Sequence, residues 1–531
     1  MASIRHLYSS LVLLDGWKRY CLAFLLGVIA SFAQPPYGWF GLLWFCLPIL
    51  VALLDSASLG HNGRAVAKRM FATGWMFAFG FFLLTFYWLG AAFLVEAEKF
   101  AWAMPLAILV LPAGLAIFWA AAMAALALVW SDHWTRVIWF ALSLSIMEWI
   151  RGFVFTGLPW GGFGFSLASN DLTMQALSLT GPDLLTLWAL LLFTLPVIWI
   201  AQEHVSRKAL GYTVLISAIL AVQILYGFMR LQNEGSKPLQ SEGQILRLVQ
   251  PNIPQSEKWK LENRSWIFNR LVAMTSQTSE QAPADEVDLV IWPESAIPFY
   301  LMEQPAALAA IAQALPGQSQ LMTGALRREQ STKGEENVFN SIYWLGADGA
   351  VRGAYDKTHL VPFGEYLPMQ SVLEAIGLEQ LTRLKGGFTP GRNRNLLGTD
   401  KFGSVLPLIC YEIAFAGEVA SYVARPDWIL TVTNDAWFGP SIGPYQHLFM
   451  ARMRAVELGL PVVRVANTGI SAIIDFKGQV IAQIPLEQTG ILQMKLPDDR
   501  AKTLFSIVGN GLFSAIWLFL LIILIFLRRK V

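Results

Sequence analysis

Long apolar runs with almost no charge fill the first 230 residues and the last 25, and no other feature restricts the possible folds as strongly. A helix that crosses a bilayer needs about 20 mostly apolar residues. The runs predict spans near residues 20–34, 39–54, 70–92, 103–130, 136–154, 183–201, 208–229 and 506–527. The sequence therefore predicts an α-helical membrane domain of about eight spans, with seven before residue 230 and one at the carboxyl end.

The beginning of the chain also has some features of a cleaved signal peptide, because Lys18 and Arg19 precede the first apolar run. A second apolar run follows almost at once after Pro35-Pro36, and no good small-x-small cleavage site separates the two runs. An uncleaved helical hairpin is therefore the favoured interpretation.

Lysine and arginine are enriched on the cytoplasmic side of membrane proteins. With eight crossings, the basic residues around the spans fall on one face: Arg5, Lys18, Arg19, Arg64, Lys68, Arg69, Arg136, Arg207, Lys208, Arg528, Arg529 and Lys530. The alternate loops hold little besides Lys99 and Arg151. Both termini are therefore predicted inside the cell, and the segment 231–505 is predicted outside.

The segment between the seventh and eighth spans has the pattern of a soluble domain. It opens with a polar linker at 231–243 and includes a stretch typical of a variable loop at 279–286. Strand-like runs lie at 245–250, 287–292, 319–325, 340–346, 404–411, 428–434, 462–466 and 471–475, and helical patterns near 257–278, 304–314, 415–424 and 445–459. This alternation predicts an α/β layered domain at 231–505, between a membrane domain at 1–230 and a final membrane helix at 506–531.

Charge and cysteine content argue against several kinds of site. The net charge of +2 argues against a nucleic-acid binder with a broad basic field. Of the three cysteines, Cys21 and Cys46 lie in apolar runs and Cys410 lies in the outer domain. Without a C-x-x-C pair, neither a thiolate zinc site nor a redox dithiol is expected, and we expect no metal and no cofactor. A lone cysteine outside the cytoplasm is either a buried residue or a reactive thiol.

Three short stretches of the outer domain carry reactive side chains near predicted strands. Glu294 follows an apolar run and a proline, Lys357 lies in a turn-like stretch, and Cys410 ends another apolar run. Ligands of open α/β folds bind beyond the carboxyl ends of strands, so these side chains could converge. A thiol is mostly protonated at neutral pH and needs a base or a cation nearby. Glu294 could accept its proton, and Lys357 could stabilise the thiolate and an oxyanion.

Each of these residues also has a structural interpretation. A cysteine in a β run is most often buried packing. Glu294 could cap a turn or helix, and Lys357 could belong to a solvated turn. The three residues taken together, in this order and in these settings, are a more specific signal of catalysis than any one of them.

The surrounding motifs resemble a known superfamily. WPES at 292–295, YDKTHLVPFGEYLP at 355–368 and ICYE at 409–412 are similar to the three catalytic motifs of the nitrilase, or carbon–nitrogen hydrolase, superfamily. The long second motif, with seven spans before the domain and one after it, resembles the apolipoprotein N-acyltransferase family. PQSEKW at 254–259, NDAWFGPSIGPYQH at 434–447, EWIRG at 148–152 and TGLPWGGFGFS at 156–166 also resemble that family.

The resemblance implies a fold, a site and a reaction. The outer domain would be a nitrilase-like α-β-β-α sandwich. Glu294, Lys357 and Cys410 match the family's catalytic triad, Glu365, Tyr411 and Glu412 match its supporting residues, and Trp259 and Trp437 match tryptophans on loops around the pocket. With Phe363 and Phe438, these tryptophans could line an apolar pocket; packing, or an interfacial aromatic belt, is the alternative for all four.

The resemblance also implies the substrates. A fatty acyl chain would pass from a membrane phospholipid, through a thioester on Cys410, to the N-terminal amine of an S-diacylglyceryl-cysteine apolipoprotein. The enzyme would lie among lipids in the bacterial inner membrane, as a multi-pass protein with its catalytic domain on the periplasmic side. No nucleic-acid partner is expected, and a monomer is expected.

Other functions remain open at this point. A membrane-tethered amidase or nitrilase acting on a small C–N substrate would use the same three residues, although seven spans exceed what a tether needs. A transporter or channel would need ionisable residues along its spans. Apart from Glu148 and Arg151, an expected i,i+3 ion pair near the outer end of the fifth span, the spans carry almost no charge. A binding module with a dead site is disfavoured by the intact Glu, Lys and Cys.

Overall fold

The structure is a computed structural model that describes residues 2–201, 205–232, 243–278, 287–330, 336–375, 380–382, 386–399, 402–421, 424–497 and 502–528. The stretch predicted as a variable loop, 279–286, and most of the predicted linker, 233–242, lie outside these residues. The chain forms two compact units. The first comprises Met1–Gly90, Trp102–Asn233 and Thr503–Val531, and the second comprises Ala91–Ala101 and Glu234–Lys502.

The second unit includes a segment, Ala91–Ala101, that the sequence predicts to be part of the N-terminal domain. This segment belongs to the second unit because it packs against it: a Cβ atom built on Gly439 would lie only 3.2 Å from Cβ of Ala91. Residues 91–101 also contain short helical turns and charged side chains, which interrupt the apolar pattern on either side.

Twenty helices are present among the described residues: α1 Ala2–Val12, α2 Gly16–Ser31, α3 Leu43–Ser58, α4 Arg64–Phe86, α5 Ala97–Phe100, α6 Met104–Leu126, α7 Arg136–Arg151, α8 Phe163–Ala168, α9 Asp171–Met174, α10 Leu177–Phe193, α11 Pro196–Ile200, α12 Arg207–Gln232, α13 Gln255–Lys258, α14 Arg264–Ser276, α15 Pro305–Ala314, α16 Gln370–Ala375, α17 Ala416–Ala420, α18 Gly443–Leu458, α19 Leu504–Val508 and α20 Gly511–Arg528.

Six helical segments of the described chain are long and apolar enough to cross a membrane: Phe40–Ser58, Arg64–Leu94, Ala97–Leu126, Leu177–Ile200, Arg207–Gln232 and Gly511–Arg528. These six segments correspond to the second, third, fourth, sixth, seventh and eighth of the about eight predicted spans. The predicted first and fifth spans correspond to α2 and α7, which have 16 residues each. At about 1.5 Å per residue, such a helix is roughly 24 Å long, shorter than a hydrocarbon core of about 30 Å.

The first unit contains a buried ion pair on α7. Arg151 donates from Nε to Glu148 Oε1 and from Nη2 to Oε2, both at 2.9 Å. Trp119 Nε1 on α6 donates to the same Oε1 at 2.6 Å. The i,i+3 pair expected from the sequence is therefore formed, and it connects two helices of the unit. Three donors satisfy the buried carboxylate, which offsets its desolvation.

Twelve strands are present in the described part of the second unit: β1 Ile245–Gln250, β2 Leu289–Trp292, β3 Gln320–Gln330, β4 Glu336–Leu345, β5 Val351–Asp356, β6 Leu397–Thr399, β7 Gly403–Ile409, β8 Trp428–Thr433, β9 Val462–Ala466, β10 Ser471–Ile474, β11 Val480–Ile484 and β12 Gly490–Lys495. They form two six-stranded sheets, in the orders β12-β1-β2-β3-β4-β5 and β11-β10-β9-β8-β7-β6. The strands β1, β2 and β3 are parallel, as are β7, β8 and β9.

The two sheets face each other across an apolar core. Residues from both sheets meet in it, including Leu248 and Ile291 from the first sheet and Val432 and Val465 from the second. On the outer face of the first sheet, α14 and α15 pack against β1 to β4. On the second sheet, α18 contacts β9 and β10. The domain is thus the α-β-β-α sandwich that the resemblance implies.

Candidate active site

Glu294 lies directly beyond β2. Pro293 lacks a backbone N–H and cannot continue the ladder, so the strand ends at Trp292 and the chain turns. The Glu294 side chain is buried and accepts a hydrogen bond of 2.7 Å from Asn340 Nδ2 to Oε1. The same Oε1 is 3.7 Å from Nζ of Lys357.

Lys357 directly follows β5. This strand is antiparallel to β4, which is antiparallel to β3, so β5 runs in the same direction as β2 and β3. Lys357 and Glu294 therefore follow strand ends on one edge of the first sheet. The buried Nζ donates to Glu365 Oε1 at 2.9 Å. Burial alone would lower the pKa of Lys357, but the charges of Glu365 and Glu294 outweigh it and raise this pKa. The lysine is therefore a fixed cation at neutral pH.

Asn340 on β4 joins the two carboxylates, and the sequence analysis did not single it out. Its Nδ2 donates to Glu294 Oε1 at 2.7 Å and to Glu365 Oε1 at 3.1 Å. Its main-chain oxygen also accepts from the Lys357 amide at 2.8 Å. One residue thus orients both acids and fixes the backbone of the lysine. The only sequence signal was its position in a predicted strand that precedes the second motif.

Cys410 directly follows β7 in the second sheet, and the main chain turns there. Its φ of 52° lies in the left-handed region, which is unfavourable for a residue with a side chain. The residues Cys410–Ala414 form a single 3-10 turn, called the Cys410 turn below. Burial raises the pKa of the thiol and the charge of Glu294 raises it further, while Lys357 lowers it. The resting group is therefore a neutral thiol, coupled to both of these charges.

Two other turns of the site also contain a residue with a side chain at positive φ. Ser295, next to Glu294, has a φ of 43°, and Phe363 in the second motif has a φ of 62°. Each such conformation costs on the order of 1–2 kcal/mol. Strained positions of this kind cluster at functional sites, where the surrounding structure holds them in place. All three motif segments thus share a feature that is typical of active sites.

The buried Glu412 connects the second and third motifs. Its Oε1 accepts from the Tyr355 hydroxyl at 2.8 Å and from the amides of Thr358 and His359 at 2.8 and 3.1 Å. Its Oε2 accepts from the amide of Ile409 at 2.8 Å. The carboxylate therefore ties the Cys410 turn to the chain that follows Lys357.

Tyr411 and Glu365 occupy supporting positions. The Tyr411 ring contacts Phe415 edge-on, with centroids 4.9 Å apart, and approaches His359 at 5.7 Å. Glu365 accepts the amide of Val361 at 2.8 Å through Oε2, so its other oxygen is aimed at Lys357. Both side chains are buried.

The four aromatic residues predicted as pocket lining are not buried in the core. Trp259 is 44% exposed and Phe363 is 57% exposed, which leaves both rings available to a ligand. Trp437 and Phe438 are partly buried. A hydrogen bond of 2.6 Å from Asn434 Nδ2 to Gln255 Oε1 joins the two segments that carry the tryptophans.

Lys258 is a second buried cation that the sequence analysis did not identify. Its Nζ donates to the main-chain oxygen of Glu294 at 3.2 Å. Burial lowers the pKa of this lysine to about 8, against a smaller opposing effect of Glu294. Its position next to Trp259 in the PQSEKW segment was the signal available in the sequence. Within the described part of the chain, no group of His, Cys, Asp or Glu side chains is arranged to hold a metal ion.

Comparisons with known proteins cover both units. Residues 26–195 match the family model of the apolipoprotein N-acyltransferase N-terminal domain, and residues 245–504 match the carbon–nitrogen hydrolase model. The apolipoprotein N-acyltransferase of Rhodopseudomonas palustris is 40% identical over 98% of this chain and 97% of its own length. That of Brucella melitensis is 39% identical over 94% of this chain and 93% of its own. The chain belongs to the apolipoprotein N-acyltransferase family.

Family membership makes the chain an acyltransferase and a membrane protein, which confirms two predictions from the sequence. Among solved structures, an amidase of the nitrilase superfamily from Nesterenkonia AN1 matches 53% of this chain and 100% of its own, at 17% identity and a TM-score of 0.35. The carbon–nitrogen hydrolase of Helicobacter pylori matches 48% of this chain at 16% identity and a TM-score of 0.36.

Proposed function

We propose that this enzyme transfers a fatty acyl chain from a membrane phospholipid to the N-terminal amine of an S-diacylglyceryl-cysteine apolipoprotein, through a thioester on Cys410. The observation that carries the proposal is the buried pair of Glu294 and Lys357, with Oε1 and Nζ 3.7 Å apart, whose charges both act on the Cys410 thiol. The relatives named apolipoprotein N-acyltransferase support the substrates, because they match the membrane unit as well as the outer domain.

In the first half-reaction Glu294 takes the proton of Cys410, and the thiolate attacks the ester carbonyl of the phospholipid. Lys357, held by Glu365 at 2.9 Å, stabilises the thiolate and then the oxyanion. The carbon–sulfur bond forms as the carbon–oxygen bond breaks. Glu294 returns the proton to the leaving oxygen, and a lysophospholipid departs.

In the second half-reaction the amine of the apolipoprotein attacks the thioester. The carbon–nitrogen bond forms and the carbon–sulfur bond breaks, while Glu294 takes the proton of the amine and passes it to the sulfur. A thioester keeps ester-like reactivity, so formation of the amide is downhill. One base and one cation serve both steps, which fits a site that its two substrates occupy in turn.

The site must also keep water from the thioester, because hydrolysis would waste the acyl chain. We propose that Trp259, Phe363, Trp437 and Phe438 line the pocket and exclude water. The exposure of Trp259 and Phe363 supports this role, since a ring packed in the core could not contact a ligand.

We further propose that the enzyme is a monomer in the bacterial inner membrane, with residues 231–505 on the periplasmic side. Basic residues on one set of loops support this orientation. The alternative is a membrane-tethered amidase or nitrilase that acts on a small C–N substrate. It is less favoured, because it does not explain why residues 26–195 match the N-terminal domain of apolipoprotein N-acyltransferases.

An intact-mass experiment tests the reaction. The purified enzyme is incubated with phospholipid, and we expect a long-chain adduct on Cys410 that neutral hydroxylamine removes. Cys410→Ala should carry no adduct and should not acylate a diacylglyceryl peptide, while the Cys21→Ala, Cys46→Ala double variant should behave as the wild type. Acylation of the peptide by Cys410→Ala would rule out the thioester route.

A further inference from the structure

A buried charged cluster lies behind the Cys410 turn, and the proposed chemistry does not use it. Asp435 Oδ1 is 2.9 Å from His447 Nδ1, and Asp435 Oδ2 is 2.5 Å from Arg464 Nη2. The three side chains are almost completely inaccessible to solvent. Asp435 and His447 belong to the stretch 434–447, which the sequence analysis singled out only as a resemblance.

His447 contacts the main chain of Cys410 directly. Its Nε2 is 3.1 Å from the carbonyl oxygen of Cys410. A carbonyl oxygen can only accept, so Nε2 carries a proton and donates it. Burial and the charge of Arg464 lower the pKa of His447, so the ring is neutral and its unprotonated Nδ1 accepts from Arg464 Nη2 at 3.2 Å. The contact falls on a residue whose φ of 52° needs support from its surroundings. His447 therefore holds the strained peptide from which the thiol projects.

The thiol is connected to the same cluster by a second route. A hydrogen bond with Thr433 lowers the pKa of the Cys410 thiol, and the hydroxyl of Thr433 donates to Asp435 Oδ1 at 2.8 Å. The carbonyl of Cys410 is thus connected to Asp435 through His447 and Arg464, and the side chain of Cys410 is connected to it through Thr433.

The charges of the cluster suit positioning better than proton transfer. Burial would raise the pKa of Asp435, but Arg464 and His447 outweigh it and hold this pKa well below its usual range. A carboxylate of that kind is a poor base at neutral pH. Three charged groups act on the sulfur, namely Glu294, Lys357 and Asp435, and Glu294 remains the one suited to take its proton.

We propose that His447, oriented by Arg464, which Asp435 in turn holds, is the positioning residue of Cys410: it holds the Cys410 turn so that the thiol faces Glu294 and Lys357. This inference rests on the proposed function, since it assumes that Cys410 is the nucleophile. It assigns a role to a histidine that has no place in the Glu–Lys–Cys chemistry.

The test compares His447→Phe with His447→Gln, whose amide keeps a donor for the carbonyl. The rate of thioester formation is measured in a single turnover at increasing phospholipid concentration. Since misplacing a reacting group by about 1 Å can cost 10²-fold, we expect His447→Phe to lower the limiting rate about 100-fold. The half-saturating lipid concentration should change little. His447→Gln should recover much of the lost rate.

Glu457→Gln is the matched control. Glu457 lies on the same helix, α18, and is fully buried, with a hydrogen bond of 2.8 Å from Arg454. This change should lower the thermal midpoint as His447→Phe does, yet leave the rate of thioester formation near the wild-type value. Equal losses of rate in both variants, or no recovery in His447→Gln, would overturn the proposal.

The rate at which iodoacetamide alkylates Cys410 separates this inference from the proposed function. If the wild type forms no thioester, the proposed function fails, and alkylation still decides the role of His447. We expect its rate at pH 8 to fall in His447→Phe and to recover in His447→Gln. An unchanged rate in His447→Phe would contradict a positioning role.

Discussion

Asn340 places a single amide between the two carboxylates nearest to Lys357. Two acids that share one lysine repel each other, and the amide donates to both, at 2.7 and 3.1 Å. Asn340→Leu removes both of these hydrogen bonds and nearly preserves the volume of the side chain. We expect thioester formation to slow by about 100-fold, comparable to the loss of one preorganised donor. The measurement is the intact-mass assay under single-turnover conditions.

Ser341→Ala controls for general damage to β4. Ser341 neighbours Asn340 and points to the opposite face of the strand, where it donates to Asp356 Oδ1 at 2.6 Å. Its loss should slow thioester formation far less than Asn340→Leu does. Equal slowing in the two variants would show that β4 is merely sensitive to substitution.

Lys258 provides a test based on pH. Its pKa is about 8 in the folded protein and 10.5 as an ordinary lysine. Between these values the unfolded chain binds more protons than the folded one, so the free energy of unfolding rises with pH. Below pH 8 Lys258 is protonated in both the folded and the unfolded chain, so the full cost of burying its charge lowers the free energy of unfolding. We expect the thermal midpoint of the wild type, relative to Lys258→Met, to rise from pH 8 to pH 10.

Lys260→Met is the control for that series. Lys260 is exposed and donates to Glu257 Oε1 at 2.6 Å, which raises its pKa rather than lowering it. The midpoint of the wild type relative to Lys260→Met should therefore not rise over this interval. A constant difference between the wild type and Lys258→Met would contradict the lowered pKa.

The site residues that were predicted from the sequence belong to recognisable short motifs. Glu294 and Lys357 each follow a strand end, and the structure places their side chains 3.7 Å apart. Asn340 and His447 were not predicted, because each acts through a contact with residues distant in the chain. Asn340 is 46 positions from Glu294, and His447 is 37 from Cys410. A pattern in the sequence does not reveal such contacts.

At the scale of elements, the predicted strands are those in the interior of the two sheets. The missed strands β5, β6, β11 and β12 are the four edges. Interior strands such as β2 and β8 are buried along their whole length and read as continuous apolar runs. An edge strand such as β5 is largely exposed, and its sequence VRGAYD shows neither an apolar run nor a regular alternation.

A glycine on β3 allows the turn at Glu294 to pack closely against that strand. A Cβ atom on Gly324 would lie 2.6 Å from the Glu294 Cα atom and 2.5 Å from the Pro293 oxygen. In Gly324→Ala the turn must shift, so we expect a loss of about 1–3 kcal/mol in stability and slower thioester formation. Thermal unfolding followed by tryptophan fluorescence, with the intact-mass assay, measures both.

Gly398→Ala is the matched substitution on β6. A Cβ atom there would meet no heavy atom within 4 Å. This variant should therefore retain both the stability and the rate of the wild type. If Gly324→Ala behaved in the same way, the close approach at Glu294 would not constrain the site.

For the whole molecule, the apolar pattern predicted the positions of the membrane helices more accurately than the number of helices that are long enough to cross a bilayer. Each predicted span coincides with helical structure, but α2 and α7 are short. Hydropathy detects apolar length, whereas the end of a helix depends on local features. Asp15, for example, caps α2 by accepting the amide of Gly16 at 2.6 Å, and charged residues follow within its first turn.

The proposed orientation predicts opposite labelling of two engineered cysteines. In a chain with Cys21→Ala, Cys46→Ala and Cys410→Ala, either Ser421→Cys or His61→Cys is added; both positions are exposed. Ser421 lies in the second unit, and His61 lies between α3 and α4, next to the basic residues Arg64, Lys68 and Arg69 at the start of α4. Because basic loops stay in the cytoplasm, a maleimide that cannot cross the inner membrane should label Ser421→Cys in intact cells and His61→Cys only after lysis. The reverse pattern would place residues 231–505 in the cytoplasm and would separate the site from the acceptor proposed for it.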